Sequence, residues 1–284
     1  MKYKKQIITL LFTLFLANAA VGSAYYIPRA IALGDGITAI AGSSLGEAFT
    51  SNPAGLVSGQ TGCLAYYDNH FSISGYEIKG INFGISRDKL GLGFYYDTQG
   101  ANLFENNGKP VTNFIGESQF GFGIAGKKNK FSFGANVWKY SQSYDFADGS
   151  EIKPIAIIGT DLGVQYSNIN WGVGFAAKGL PLMKPEEYIE AKEYSFGLRY
   201  GKVDELFISL DLTTAQNTLG DFETSIHGGI EGWLLQNFAI RLGVDQAGML
   251  TAGLGIKKGN FLFDYAFKPH PTGKTHYFAT GYSF

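Results

Sequence analysis

The stretch Asn260-Phe261-Leu262-Phe263-Asp264-Tyr265-Ala266-Phe267-Lys268 decides the fold. Phe261, Phe263, Tyr265 and Phe267 are large and apolar, whereas Asn260, Asp264 and Lys268 fall on the opposite parity. A strand sends successive side chains to opposite faces, so one face here prefers lipid or core and the other tolerates charge. Upstream, Phe238 to Asp245 repeats the pattern, with Phe238, Ile240, Leu242 and Val244 against Arg241 and Asp245. Similar segments recur from about Thr61 to Phe284, near 61–68, 76–87, 89–98, 117–127, 130–141, 157–167, 169–178, 194–201, 205–212, 223–233, 236–245, 249–257, 260–268 and 275–284. That makes about fourteen strands, and an even number is what bacterial single-chain barrels use.

The connections carry more weight than the count. Links at 88, 128–129, 168, 202–204, 234–235 and 258–259 are short, and they alternate with the longer stretches 99–116, 142–156, 179–193 and 213–222. Short turns at a periplasmic rim and longer loops at an outer rim produce this alternation. A β-sandwich also buries one face of each strand, but it seldom carries large apolar residues on every strand to the terminus. No repeat of 40 to 50 residues marks propeller blades. The expectation is an all-β transmembrane antiparallel β-barrel.

Composition agrees. Charged residues make up 17% of the 284, aromatics 15%, and glycine occupies 39 positions. Charge is scarcer than the roughly 25% of soluble domains. Lys2, Lys4 and Lys5, the apolar run Ile7–Ala17 and small residues at Ala20–Ala24 read as a signal peptide over 1–24. Without those three lysines, 20 of the 23 basic residues face 24 acidic ones, which disfavours a nucleic-acid partner. Cys63 stands alone and reads as a small apolar filler.

Residues 25–60 read differently from the strands. Arg29-Ala30-Ile31-Ala32-Leu33-Gly34-Asp35 leads through small residues to Asn52-Pro53-Ala54-Gly55-Leu56, and Ala39–Leu45 suits a short helix. These two motifs resemble the opening of the FadL-like and PorV-like outer-membrane barrel families. His276 to Phe284, with Phe278, Tyr282 and Phe284 on one parity, resembles the terminal strand read by the outer-membrane assembly machinery. The resemblance implies a bacterial outer-membrane barrel over 61–284 with residues 25–60 folded into its lumen as a hatch. The FadL branch implies passive uptake of fatty-acid-like or aromatic compounds through the hatch and a lateral opening. The PorV branch implies an accessory barrel working with secretion components at the surface. The chain is shorter than typical members of either branch, which leaves little material for outer loops.

Phe104, Phe146, Leu180, Leu182 and Met183 fall in expected outer loops and are candidates for an apolar mouth, or for packing the loops together. Met183-Lys184-Pro185 before Glu186-Glu187 suits a helix start. By parity Asp161, Arg199, Asp211, Glu223, His227, Glu231, Arg241, Asp245, Asp264 and Lys268 face inward, where charge avoids lipid. Trp138, Tyr140, Trp171, Tyr200 and Trp233 lie near strand ends and suit either interfacial belts or ordinary packing. Gly121, Gly123, Gly172, Gly174, Gly253 and Gly255 share the inner parity and would admit close approach by something inside. His227, four residues from both Glu223 and Glu231, shares their face but stands more than about 13 Å from each along a strand, too far for a compact triad. No metal-ligand or nucleotide motif occurs, so neither enzyme activity nor a cofactor is expected.

Overall fold

In hydrocarbon, a strand with an unpaired edge leaves backbone N–H and C=O groups without partners, and each costs several kcal/mol. The computed structural model meets this constraint by closing the sheet. It describes residues 27–41, 45–58, 63–71, 76–106, 109–145, 154–185, 192–217, 220–270 and 273–283. The expected signal peptide and Phe284 lie outside the described residues. The strands are β1 (Cys63–Phe71), β2 (Tyr76–Arg87), β3 (Leu90–Asn106), β4 (Lys109–Lys128), β5 (Phe131–Asp145), β6 (Ile155–Ser167) and β7 (Trp171–Met183). They continue as β8 (Glu193–Gly201), β9 (Leu206–Gln216), β10 (Phe222–Leu234), β11 (Phe238–Val244), β12 (Leu250–Lys258), β13 (Phe261–His270) and β14 (Gly273–Ser283). Each pairs antiparallel with its sequence neighbours, and β1 pairs with β14 from Cys63↔Ser283 to Phe71↔Thr275, giving a closed barrel.

The outer surface carries the apolar parity. Phe120, Phe122 and Ile124 on β4, Leu206, Ile208, Leu210 and Leu212 on β9, and Ile240 and Leu242 on β11 are all exposed. Their neighbours in sequence turn inward and are buried, as Gln119, Ser209, Asp211 and Arg241 show. Large exposed aliphatic and aromatic side chains on all sides of a closed sheet are stable only in a nonpolar solvent. Among the described residues no helix is long and apolar enough to cross a membrane.

Two expectations fail for physical reasons. The stretch 99–116 was expected to be a loop, yet β3 and β4 keep pairing out to Asn106↔Lys109, with an irregularity between Asn102 and Phe104. Above the hydrocarbon both faces of a strand meet polar surroundings, so period two fades while the ladder continues. The same effect hides the end of β7, which runs to Met183. Leu180, Leu182 and Met183 are therefore strand residues rather than loop residues, and the helix start expected from Met183 into Glu186-Glu187 runs into residues outside the described ones.

Residues 27–58 form α1 (Pro28–Ala32), α2 (Leu45–Thr50) and a 3-10 turn at Pro53–Val57. Pro28 starts α1 where a missing N–H costs nothing, and Leu33-Gly34-Asp35 ends it, with Gly34 and Asp35 at positive φ. Of the helix expected over Ala39–Leu45, residues 39–41 make a turn instead and Leu45 is the first residue of α2, while residues 42–44 lie outside the described residues. Almost every described side chain from Ile27 to Val57 is buried against the inner face of the barrel.

Phe122 sits in the middle of the outward run Phe120–Phe122–Ile124, so Phe122→Arg should lower folding stability in lipid by about 2–4 kcal/mol. Urea titration of vesicle-embedded protein measures this; an unchanged midpoint would mean that this face does not meet hydrocarbon.

Candidate functional site

The wall receives the N-terminal segment through glycines. A side chain on Gly91, Gly134 or Gly174 would run into the backbone at Leu56, Pro53 or Thr38. Gly243 lies against Leu33 and Gly34, Gly229 against Leu33, and Gly253 against the Ala32 methyl. Gly91, Gly134 and Gly174 lie toward the short-turn ends of β3, β5 and β7, whereas Gly243 and Gly253 lie toward the other ends of the shorter strands β11 and β12, so the segment crosses the lumen obliquely. Backbone meets backbone where Cβ atoms would keep them apart. The inner glycines expected to admit something inside do so at Gly123, Gly174 and Gly253, whereas Gly121 faces the Tyr95 ring and Gly255 faces Arg241 and Asp264.

Side chains then fix the segment in place. Arg29 in α1 donates from Nε to Glu231 Oε2 at 2.6 Å and from Nη2 to Glu231 Oε1 at 3.0 Å. Its Nη1 reaches Glu47 Oε2 in α2 at 2.8 Å, and its guanidinium lies 5.6 Å from the Phe207 ring centroid. Glu231 also accepts from Arg241 Nε at 2.6 Å and from Trp233 Nε1 at 2.9 Å, and Arg241 Nη1 donates to Asp264 Oδ1 at 2.6 Å. Two cations and three carboxylates thus share one buried chain from the plug to β10, β11 and β13. Gly255 supplies the space for the Arg241–Asp264 pair, since a Cβ there would come 2.8 Å from Asp264 Oδ1.

The second motif is a clamp of the same kind. Asn52 Oδ1 accepts from Ala54 N at 3.1 Å and caps the turn that Pro53 begins. Its Nδ2 points at three carbonyls: Thr38 O at 3.0 Å, and Val164 O and Phe175 O at 3.2 Å. Gly163 leaves room for it. Thr38 N donates to Asp211 Oδ2 at 2.8 Å, and His227 Nδ1 lies 2.8 Å from Gly34 O. The residues singled out as Arg29, Gly34, Asp35, Asn52, Pro53, Ala54 and Gly55 therefore lie in two structural roles. Arg29, Gly34, Asn52, Pro53 and Ala54 contact the wall, while Asp35 and Gly55 lie in the turns.

Beyond the plug the lumen has two unlike walls. Ile78 of β2, Tyr95 of β3, Trp138 and Tyr140 of β5 and Ile157 of β6 form one apolar cluster with Ile27, Ile40 and Phe49 of the plug. Phe49 packs on Tyr95 with ring centroids 4.9 Å apart. On the strands that follow, β7 to β10, Lys178 pairs with Glu193 at 2.5 Å, and Ser195, Thr213 and His227 continue a hydrogen-bonded line down to Gly34. Trp138 and Tyr140 had suited an interfacial belt, but both point inward and are buried, as their even parity on β5 requires. Trp171 and Tyr200 do lie exposed at the outside, and Trp233 turns in toward Glu231.

The wall is least regular between β6 and β7. Pairing slips between Ile158 and Gly159 and again between Thr160 and Leu162, two bulges in close succession. Gly159 stands opposite Pro181, which has no N–H to donate, and the Trp138 indole covers Gly159 from inside. Asp161 Oδ1 accepts Gly179 N at 2.8 Å and Trp138 Nε1 at 3.1 Å, holding the bulge and the indole together.

Of the inward-parity charges, Asp161, Arg199, Asp211, His227, Glu231, Arg241, Asp245 and Asp264 are buried. Lys268 pairs with Asp245 at 2.9 Å, while Glu223 is exposed near the outer rim beside Asn217. Of the candidate mouth residues, Leu180 is half-buried, Leu182 and Met183 are exposed beside the bulges, and Phe104 lies in β3. Phe146, Glu186 and Glu187 lie outside the described residues. The aromatic wall was missed because nothing in a strand's own pattern distinguishes an inward aromatic from a belt residue. Phe278 and Tyr282 face outward on β14.

Several solved structures share this architecture. The toluene transporter TbuX of Ralstonia pickettii superposes with a TM-score of 0.67 at 14% identity, covering 91% of this chain and 98% of that one. The CymD monoaromatic hydrocarbon channel gives 0.64 at 13% identity, covering 90% and 97%. A Pseudomonas aeruginosa FadL homologue gives 0.60 at 12% identity, covering 90% and 97%. The fold is that of the FadL-type outer-membrane channels. No protein-family model and no curated protein matches the sequence. A FadL-type barrel with an apolar exterior belongs in the outer membrane of a bacterial cell, surrounded by its lipid.

Two substitutions test this geometry. Glu231→Ala leaves Arg29 and Arg241 buried without their shared carboxylate and should cost about 3–5 kcal/mol in urea unfolding. Gly163→Ala pushes a methyl into Asn52, which three carbonyls hold; overpacking of about 1–3 kcal/mol should unseat the turn and expose it to protease. Native-like protease resistance in Gly163→Ala would show that the turn has room the geometry denies.

Proposed function

We propose that this barrel lets small hydrophobic molecules cross the outer membrane passively, with residues 27–58 acting as a hatch. The observation that carries the reading is the two-sided lumen. Ile78, Tyr95, Trp138, Tyr140 and Ile157 offer an apolar track on one wall, and Phe49 of the hatch closes its foot. A molecule on that track meets aromatic faces, which favour flat apolar ligands by stacking and area burial. The polar wall and the backbone-tight hatch deny water a continuous path. The irregular β6–β7 seam lies beside Trp138, and we assign it as the sideways exit: displacing the indole from Gly159 opens the wall where Pro181 donates no hydrogen bond.

The fold shared with the toluene transporter TbuX and the CymD monoaromatic hydrocarbon channel supports monoaromatic compounds, and the FadL homologue supports fatty-acid-like ones. The buried aromatic wall favours the former. No observation favours the accessory role that the PorV resemblance implied. The reading involves no catalytic residue and no cofactor.

Vesicles containing the protein should take up a monoaromatic hydrocarbon faster than empty vesicles while excluding a small sugar. Deleting residues 27–58 should admit the sugar as well. Equal hydrocarbon uptake with and without protein, or free sugar entry through the intact chain, would overturn the proposal.

A further inference from the structure

The periplasmic rim is unevenly charged. The turns joining β2 to β3 and β4 to β5 sit side by side, linked by a 2.8 Å bond from Lys127 N to Lys89 O. Together they carry Arg87, Lys89, Lys127, Lys128 and Lys130 against a single acid, Asp88. Arg87, Lys89, Lys128 and Lys130 are exposed, and Lys127 is half-buried. Among the described residues none of the five lies within ion-pair distance of a carboxylate. At the β8–β9 turn of this rim the charge is neutralised: Lys202 pairs with Glu205 at 2.8 Å, and Asp204 lies beside them.

Height and direction identify what these cations meet. Arg87 continues the outward parity of Ile81, Phe83 and Ile85, and Lys128 continues that of Phe120, Phe122 and Ile124. Both side chains therefore leave the wall on its lipid side just past the apolar run, Arg87 directly after Ile85 and Lys128 after Ile124 and Gly126. Lys258 does the same after Leu254 and Ile256 on β12, which lies across β13, β14 and β1 from β2. The exposed rings of Phe131 and Phe133 flank the cluster. A cation at this height, with an apolar band above it and an aromatic beside it, stands where the phosphates of the periplasmic leaflet lie.

We propose that the arc formed by Arg87, Lys89, Lys127, Lys128 and Lys130 binds the headgroup of an anionic glycerophospholipid in the periplasmic leaflet. The phosphate takes charge-assisted hydrogen bonds from Arg87 and the lysines, while the acyl chains lie along Phe83, Ile85, Phe122 and Ile124. Continuity with the lipid-facing wall favours a lipid over a soluble anion, because one molecule satisfies both surfaces. The proposal rests on the membrane fold and is independent of what crosses the lumen.

The test is native mass spectrometry of the full barrel extracted from vesicles of phosphatidylethanolamine containing equal amounts of phosphatidylglycerol and phosphatidylcholine. Retained phosphatidylglycerol should exceed phosphatidylcholine by about tenfold, since each basic residue near an anionic surface contributes about fivefold before screening. The combined variant Lys89→Gln, Lys127→Gln, Lys128→Gln and Lys130→Gln should bring the ratio close to one. The matching variant with arginine at the same four positions should keep the preference, as should Lys202→Gln. Equal retention of the two lipids by the native barrel, or an undiminished preference in the glutamine variant, would overturn the assignment. Complete displacement of phosphatidylglycerol by inorganic phosphate would make this a soluble-anion site, and crosslinking of these lysines to an acidic periplasmic protein without lipid preference would make it a protein surface. Either outcome defeats the lipid reading.

Discussion

The constraint from which the rest follows is that backbone polar groups have no partner in hydrocarbon. It forces β1 onto β14, and the closed ring then sorts side chains by parity with no further choice. Lipid takes one face of each strand and the lumen takes the other. A lumen enclosed by fourteen strands is too wide to be filled by the wall's own side chains, so charge can enter it and a second body can occupy it. The N-terminal segment is that body, and its own orphan backbone groups find partners on the wall.

This division explains why buried charge is concentrated where it is. Arg29, Glu47, Glu231, Arg241 and Asp264 would be costly in isolation, but each has at least one oppositely charged partner within 2.8 Å. Such a chain contributes little net stability relative to apolar packing. What it contributes is selectivity of position: an N-terminal segment shifted along the barrel axis would keep the Arg29–Glu47 and Glu231–Arg241 pairs but lose the Arg29–Glu231 bridge that joins them. The glycines act differently. They permit close approach at Gly91, Gly134, Gly174 and Gly243 without choosing among orientations. Close approach and correct register thus come from separate sets of residues.

Much of the wall was legible because lipid enforces parity. Asn260–Lys268 and Phe238–Asp245 disclose their two faces in the residue pattern alone, and the inward set from Asp161 to Asp264 followed from it. The reading weakened wherever that pressure stops. Beyond the hydrocarbon β3, β4 and β7 keep their hydrogen bonds while losing alternation, so Leu180, Leu182 and Met183 passed for loop residues. The apolar track was less legible still. Trp138 and Tyr140 are inward aromatics on a face otherwise marked by polar residues, and their meaning depends on Tyr95, Ile157 and Phe49, which lie far apart in sequence. In the hatch, Arg29 and Asn52 stood out by motif, but their partners Glu231, Val164 and Phe175 could be named only from coordinates.

The two wall types divide the contacts of the N-terminal segment between polar and apolar partners. Water entering from the outer rim meets the Lys178–Glu193 pair and the Ser195–Thr213–His227 line, which are already satisfied by one another and by Gly34. The other wall carries Tyr140, Trp138 and Tyr95 packed with Phe49 of the segment, and Gln119 meets the Tyr95 hydroxyl there. The irregular seam at Gly159 and Pro181 lies on that apolar side, whereas the ion network that fixes the hatch lies on β10, β11 and β13. The seam strands β6 and β7 also carry the Val164 and Phe175 carbonyls that hold Asn52, so the N-terminal segment is tied to two separate arcs of the wall, by carbonyls at the seam and by charge at β10, β11 and β13.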